Sequence, residues 1–277
     1  MIDKPRRPAS FRPVSKARIG LIGSGYVGRY VYEQITSRPE LGLEVAFVHE
    51  LAAERLGGLP PEVVLPDITA FASRQPDIVV EMAHPAVSRQ FGEMLLREAD
   101  YMPLSMTAFA DEQLQQRLLA TARNNHTCLF VPHGAVVGLE SIFEGRDLWE
   151  EVSMVMKKSP KNLDFAAAPQ FKAAEITRPT VLYDGPTRGI CPMFPRNVNS
   201  HATVALAGIG FDRTRSVLIA DPALDVSVIE LTARGKGVEM KIERSNPLKG
   251  VSGVFTLHST LAAIARAKGA SGAMQIC

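Results

Sequence analysis

Two patterns near the start of this chain combine residue types that do chemistry. Gly23-Ser24-Gly25-Tyr26-Val27-Gly28 follows directly on the apolar run Ala17-Arg18-Ile19-Gly20-Leu21-Ile22. A short strand that turns through three glycines into a helix can cradle a dinucleotide. Gly23 permits the tight turn, Gly25 lets the backbone approach a pyrophosphate, and Gly28 lets the helix pack closely on the strand. The first helical N–H groups, around Tyr26 and Val27, then face the phosphates. Glu50 lies about twenty residues past Gly28, the spacing at which an acid bonds the ribose hydroxyls. A 2′-phosphate at that point would meet a carboxylate, which favours NAD over NADP. Arg55, close by, keeps NADP open.

These groups need a scaffold. The apolar positions after Gly25 recur at helical spacing until Arg38-Pro39, and Leu43 to Val48 reads as a second strand ending at His49-Glu50. A short helix is expected near Asp67 to Arg74. Strands follow over Pro76 to Met82, Tyr101 to Ser105 and Cys128 to Pro132, with helices over Val87 to Glu98 and Asp111 to Asn124. This alternation predicts an α/β fold with a doubly wound parallel sheet over residues 17–132. From residue 133 to 249 the pattern changes to strands at Glu151 to Lys157, Thr180 to Tyr183, Ser216 to Ala220, Val226 to Ala233 and Gly237 to Glu243. A single helix, Asn197 to Gly208, interrupts them. That predicts an α+β second domain built on a mainly antiparallel sheet. A final helix within 250–277 is expected to return to the first domain.

Composition sets the class. The 277 residues are 46% hydrophobic and 22% charged, enough for a sizeable core in one or two domains. A net charge of +2 argues against a nucleic-acid-binding surface. No apolar run reaches the roughly 20 residues of a membrane helix. Residues 1–16 lack the apolar core of a signal peptide and read as a disordered tail. Cys128, Cys191 and Cys277 have no metal spacing and no close pairing, as in a cytoplasmic protein with free thiols. No metal site is expected.

Further along, Phe194-Pro195-Arg196-Asn197-Val198-Asn199, Ala202-Thr203-Val204-Ala205-Leu206-Ala207-Gly208 and Ala220-Asp221-Pro222 form a specific set. Together with Ser105-Met106-Thr107-Ala108-Phe109-Ala110-Asp111, Gly134 to Glu140 and Lys157-Lys158-Ser159-Pro160, they resemble the L-aspartate dehydrogenase family. The resemblance runs from the glycine turn to the final helix. It implies a Rossmann domain, an α+β catalytic domain and a homodimer or larger oligomer. It also implies interconversion of L-aspartate with iminoaspartate, and so with oxaloacetate and ammonia, using NAD or NADP. The fold is similar to that of dihydrodipicolinate reductase as well.

One motif departs from the family pattern. Asp225-Val226-Ser227 stands where the family carries Asn-x-His, whose imidazole is assigned the acid/base role. A serine hydroxyl does not titrate near neutral pH. Two imidazoles occur instead at positions where the family has small residues, His133 and His201. The expectation is that acid/base work has moved to one of them, against the plainer reading that each is a structural histidine. Asp225 beside the vacated position would repel an anionic side chain, which points to a substrate less acidic than aspartate or to an amine held by Asp225.

Other candidates divide in the same way. His84 ends a sheet strand and either meets the cofactor or starts a helix. Ser105 and Thr107 are candidates for the nicotinamide and the substrate. Asn197 and Asn199 either bind cofactor and substrate or cap a helix. Lys158, or its neighbour Lys157, neutralises a substrate carboxylate or lies on a solvated turn, and Arg188 and Arg196 are alternatives. The resulting expectation is an NAD(P)-dependent oxidoreductase acting on an amino or imino acid. The alternatives are a reductase of a different imine and a catalytically silent dinucleotide-binding protein.

Overall fold

The computed structural model describes residues 16–249 and 252–269. The expected tail, apart from Lys16, lies outside the described residues, and so does the end of the C-terminal segment. The first half is β1 (Ala17–Ile22), α1 (Tyr26–Ser37), β2 (Leu43–His49), β3 (Ile78–Glu81), α2 (Pro85–Leu96), β4 (Asp100–Pro103) and α3 (Glu112–Asn125). Its four strands are all parallel, in the order β2-β1-β3-β4. Parallel strands are covered on both faces and so read as continuous apolar runs; all of β3 is buried. The Asp111 side chain accepts from Leu114 N at 3.1 Å and starts α3, a cap worth about 1 kcal/mol.

Cys128 to Pro132 was expected as a further strand. It forms only an isolated parallel bridge between Leu129 and Tyr101. Two backbone bonds hold it, Tyr101 N to Cys128 O at 2.9 Å and Phe130 N to Tyr101 O at 2.8 Å. Pro132 has no N–H with which to extend the ladder.

The second half is α4 (Leu139–Glu144), β5 (Trp149–Lys158), β6 (Thr180–Pro186), α5 (Thr187–Met193), α6 (Asn199–Ala207), β7 (Thr214–Ala220), β8 (Val226–Gly235), β9 (Val238–Lys249) and β10 (Ser252–Gly253). The strand order is β10-β9-β8-β5-β7-β6, antiparallel throughout except for β5 with β7. The α/β class and the mainly antiparallel second sheet are as expected. Helices α4 and α5 were not expected: they have 6 and 7 residues, too few to display a helical period.

Strict alternation sets the faces of this sheet. Met154, Met156 and Lys158 point inward from β5, and Ser227, Ile229 and Leu231 point inward from β8. The last helix, α7 (Val254–Lys268), returns to the first sheet. Its Leu261 and Ile264 share a core with Val31 and Ile35 of α1. Each such side chain contributes about 1.5–3 kcal/mol on burial.

Candidate active site

A cleft of about 430 Å3 runs between the C-terminal ends of the first sheet and the inner face of the second. Its first wall is the glycine turn. Gly23 has φ +99°, and a Cβ there would lie 2.9 Å from Met82 backbone atoms. A Cβ on Gly28 would come within 2.0 Å of the Gly23 carbonyl oxygen, so helix and turn touch only because the side chain is missing. A Cβ on Gly25 would meet nothing within 4 Å; it would project into the cleft. Helix α1 starts there with Gly25 as its N-cap and no side-chain cap bond, so its positive end faces this wall. This wall fits a pyrophosphate, and Gly23, Gly25, Tyr26 and Val27 all line it.

Glu50 lines the same end. Its carboxylate accepts from Ser24 N at 2.9 Å and from Ala52 N at 3.0 Å, and Arg55 lies at 3.7 Å. Burial raises its pKa, but the two N–H bonds and the Arg55 charge outweigh that and leave it below the usual value. Glu50 therefore stays ionised and also ties the end of β2 to the turn.

The middle of the cleft is organised by a buried acid. Glu81, at the end of β3, accepts from Ala83 N and His84 N at 2.7 Å each, from Ser105 Oγ at 2.9 Å and from Ser105 N at 3.1 Å. Burial raises its pKa while these four donors pull against it. Ser105 thus lines the cleft with its hydroxyl already committed to Glu81. His84 lies exposed, its Nδ1 accepting from Ala86 N at 3.1 Å to cap α2. Thr107 does not line the cleft: its hydroxyl donates to Pro195 O at 2.7 Å and its N–H to Asn199 Oδ1 at 3.2 Å. Asn197 and Asn199 do line it, and Asn197 Oδ1 also accepts from Asp164 N at 3.0 Å.

The floor comes from three strands of the second sheet. Lys157 pairs with Val228, which sets Lys158 of β5 beside Ser227 of β8 at the ladder's end. Ile229 pairs with Arg244 of β9. Lys158 is 4% exposed, and burial together with the nearby Arg244 charge pushes it down to about 8. Ser227 is buried, and its Oγ finds no hydrogen-bond partner. Arg244 Nη1 donates to Asn246 Oδ1 while its Nε finds no partner. Among the described residues, neither Lys158 nor Arg244 forms an ion pair, whereas Lys157 pairs with Glu230 at 2.5 Å and Arg196 with Asp164 at 3.0 Å. Two uncompensated cations thus face the cleft.

The histidine candidates separate. His133 lines the cleft, with Nδ1 3.3 Å from Glu140, and burial lowers its pKa. His201 lies fully buried in α6 and is absent from the cleft lining. Its Nδ1 meets Ser216 Oγ at 2.9 Å and its Nε2 has no partner. Burial and the Lys158 charge push it down to about 3, so it is neutral near pH 7. Asp225 corrects the sequence reading more sharply. It is exposed in the turn before β8 and does not line the cleft, so the predicted repulsion of an anionic substrate has no source there. Arg188, bound to Asp212 at 2.6 Å, is also outside this cleft. Sequence reasoning missed Arg244, because the last strand was ended at Glu243. The alternation Met240, Ile242, Arg244 carries the signal for it.

Residues 23–132 match the family model for a homoserine dehydrogenase NAD-binding domain, and residues 143–267 match that for the aspartate dehydrogenase C-terminal region. An aspartate dehydrogenase domain-containing protein of Xenopus tropicalis is 33% identical over 279 residues, covering 95% of this chain and 98% of that protein. The chain belongs to the aspartate dehydrogenase family. An L-aspartate dehydrogenase of Methanosarcina barkeri is 30% identical over 79% of this chain and 84% of that protein. The solved aspartate dehydrogenase of Thermotoga maritima has the same fold, with a TM-score of 0.69 at 22% identity over 91% of this chain and 94% of that one. The family is one of NAD-binding oxidoreductases, and the NAD-binding match begins at Gly23 of the glycine turn. No helix among the described residues is long and apolar enough to cross a membrane.

Proposed function

We propose that the protein is an NAD-dependent dehydrogenase of a small amino acid carrying a second carboxylate, with aspartate as the first candidate. The observation that carries this reading is the pairing of a pyrophosphate-shaped wall with two cations, Lys158 and Arg244, that lack acid partners among the described residues. A buried cation without a counterion is costly unless a ligand supplies the charge. A dicarboxylate does so, whereas a neutral or cationic substrate would not.

The glycine turn and the α1 N-terminus would hold the pyrophosphate, Glu50 the adenosine ribose, and the Glu81-braced segments at 83–85 and 104–106 the nicotinamide end. The nicotinamide, when bound, accepts or supplies the hydride. Asn197, Asn199 and the floor cations orient the substrate carbon toward that face, the proximity term of the rate. Ionised Glu50 disfavours a 2′-phosphate, hence NAD over NADP. A cytoplasmic homodimer belongs to the same reading; the free thiols of Cys128 and Cys191 fit a reducing compartment.

The test is NADH oxidation with oxaloacetate and ammonia, run beside a panel of other keto acids and cyclic imines. Turnover only of cyclic imines would favour the reductase alternative. Tight nucleotide binding with no turnover of any member would favour a silent dinucleotide-binding protein, which the unpartnered Ser227 in place of a titrating group keeps in view.

A further inference from the structure

We propose that Lys158 is the acid/base of this cleft, moving the proton at the substrate nitrogen, while Arg244 holds the carboxylate. The inference deepens the amino-acid dehydrogenase reading, rests on it and narrows it: of the two floor cations Arg244 keeps the carboxylate, and Lys158 is given the proton instead.

Few groups at or near the floor can exchange a proton. Ser227 cannot near neutral pH. Arg244 cannot, because a guanidinium stays protonated. His201 is sealed from the cleft and already neutral. His133 stands elsewhere in the cleft, held by Glu140 and facing the charge of Arg266. Lys158 remains. It ends β5 with its side chain on the inner face, and its backbone is fixed on the β7 side, by pairing with Ala220 and by Asp221 N donating to Lys158 O at 2.8 Å.

The charges around Lys158 all push the same way. From β9 comes Arg244, from α6 the neutral His201, from β8 only a hydroxyl and from β7 Ala220, while Asp221 just after it turns its carboxylate to Ala223 N at 2.9 Å. On β5 itself, Lys157 points to the other face and pairs with Glu230. With no carboxylate beside it among the described residues, the ammonium is destabilised by desolvation and by Arg244, to a value of about 8. A base poised close to the working pH is what proton transfer needs.

The step balances as follows. In the oxidative direction the substrate ammonium gives a proton to neutral Lys158: an N–H bond breaks on the substrate and one forms at Nζ. The freed nitrogen lone pair then closes a C=N bond as the Cα–H electron pair leaves as hydride, reducing the bound oxidised nicotinamide dinucleotide. In reverse, the Lys158 ammonium returns its proton to the nitrogen as hydride arrives at carbon.

Three measurements on the full chain decide it. Competitive acetylation over a pH series, read by peptide mass spectrometry and requiring no turnover, should titrate Lys158 near about 8 and not at the ordinary 10.5. Lys158→Met should lose roughly 10²–10⁴ in kcat with KM little changed, and Lys158→Arg should be equally poor. Small primary amines should restore turnover to Lys158→Ala. The proposal is overturned if Lys158 labels as an ordinary lysine. It is also overturned if Lys158→Arg keeps a tenth of wild-type kcat, the mark of a carboxylate clamp. In each of these cases a wild type that turns over keeps the dehydrogenase reading intact. A wild type inactive on every amino and imino acid removes that reading and the proposal with it.

Discussion

Glu81 and Ser105 are joined twice: the serine hydroxyl and the serine N–H both donate to the one buried carboxylate, at 2.9 and 3.1 Å. The bond pair ties the end of β3 to the segment after β4; Met82 and Ala83, just past Glu81, line the cleft with Ser105. Glu81→Gln replaces an acceptor oxygen with an NH2 that must face one of four donors. The expected loss is about 1–3 kcal/mol of stability, read from urea unfolding midpoints. Nucleotide affinity should fall as well, since the cleft edge at 83–85 and 104–106 loosens. An unchanged midpoint would show that the four bonds do not organise this edge.

Gly25 and Gly28 should fail differently. Gly28→Ala drives a Cβ into the Gly23 carbonyl and should cost about 1–3 kcal/mol or more in thermal or urea unfolding. Gly25→Ala meets open space, so stability should hold within about 0.5 kcal/mol. Its methyl would nonetheless occupy pyrophosphate space, and NADH affinity by fluorescence titration should drop tenfold or more. Normal NADH binding by Gly25→Ala would move the phosphates elsewhere.

Glu50→Ser removes the charge that faces a 2′-phosphate and leaves Arg55 without its acid. The ratio of NADPH to NADH affinity should rise by at least tenfold, about 1.4 kcal/mol. Calorimetry with both nucleotides reads it directly. A constant ratio would mean that Glu50 serves only the turn, through Ser24 and Ala52.

His201 gives a pH prediction with a definite sign. Its folded value, about 3, lies below the ordinary 6.5, so the unfolded chain takes up its proton first as pH falls. Stability should therefore be fully present above about pH 6.5 and decline from there toward pH 3, by up to roughly 1.4 kcal/mol per pH unit from this group. Unfolding midpoints of wild type and His201→Gln, measured across that window, should converge as pH falls. Parallel curves would place the acid sensitivity in other groups.

Much of the nucleotide half of the site was legible because it is local. Strand, glycine turn, helix, second strand and Glu50 occupy one short stretch, and each residue type there answers a backbone or charge requirement that depends on its near neighbours. The helix caps show the limit of that reasoning. His84 was open between cofactor contact and helix start, and only its Nδ1 bond to Ala86 N shows the second. Asp225 was misjudged for a related reason. It sits two residues from Ser227, a spacing that shares a face within a strand, but β8 begins at Val226 and leaves Asp225 in the exposed turn.

The sequence by itself determined the α/β class and the glycine turn between first strand and first helix, since these follow from backbone sterics and side-chain period; which of Lys157 and Lys158 faces the cleft it left open. Only the tertiary structure decided what meets over the floor. Lys158, Ser227 and Arg244 come from the adjacent strands β5, β8 and β9, which are neighbours because β7 and β6 lie on the other side of β5. Whether a lysine lies beside a carboxylate or beside another cation is a matter of that order and register, and it is what separates a structural ion pair from a charge waiting for a ligand.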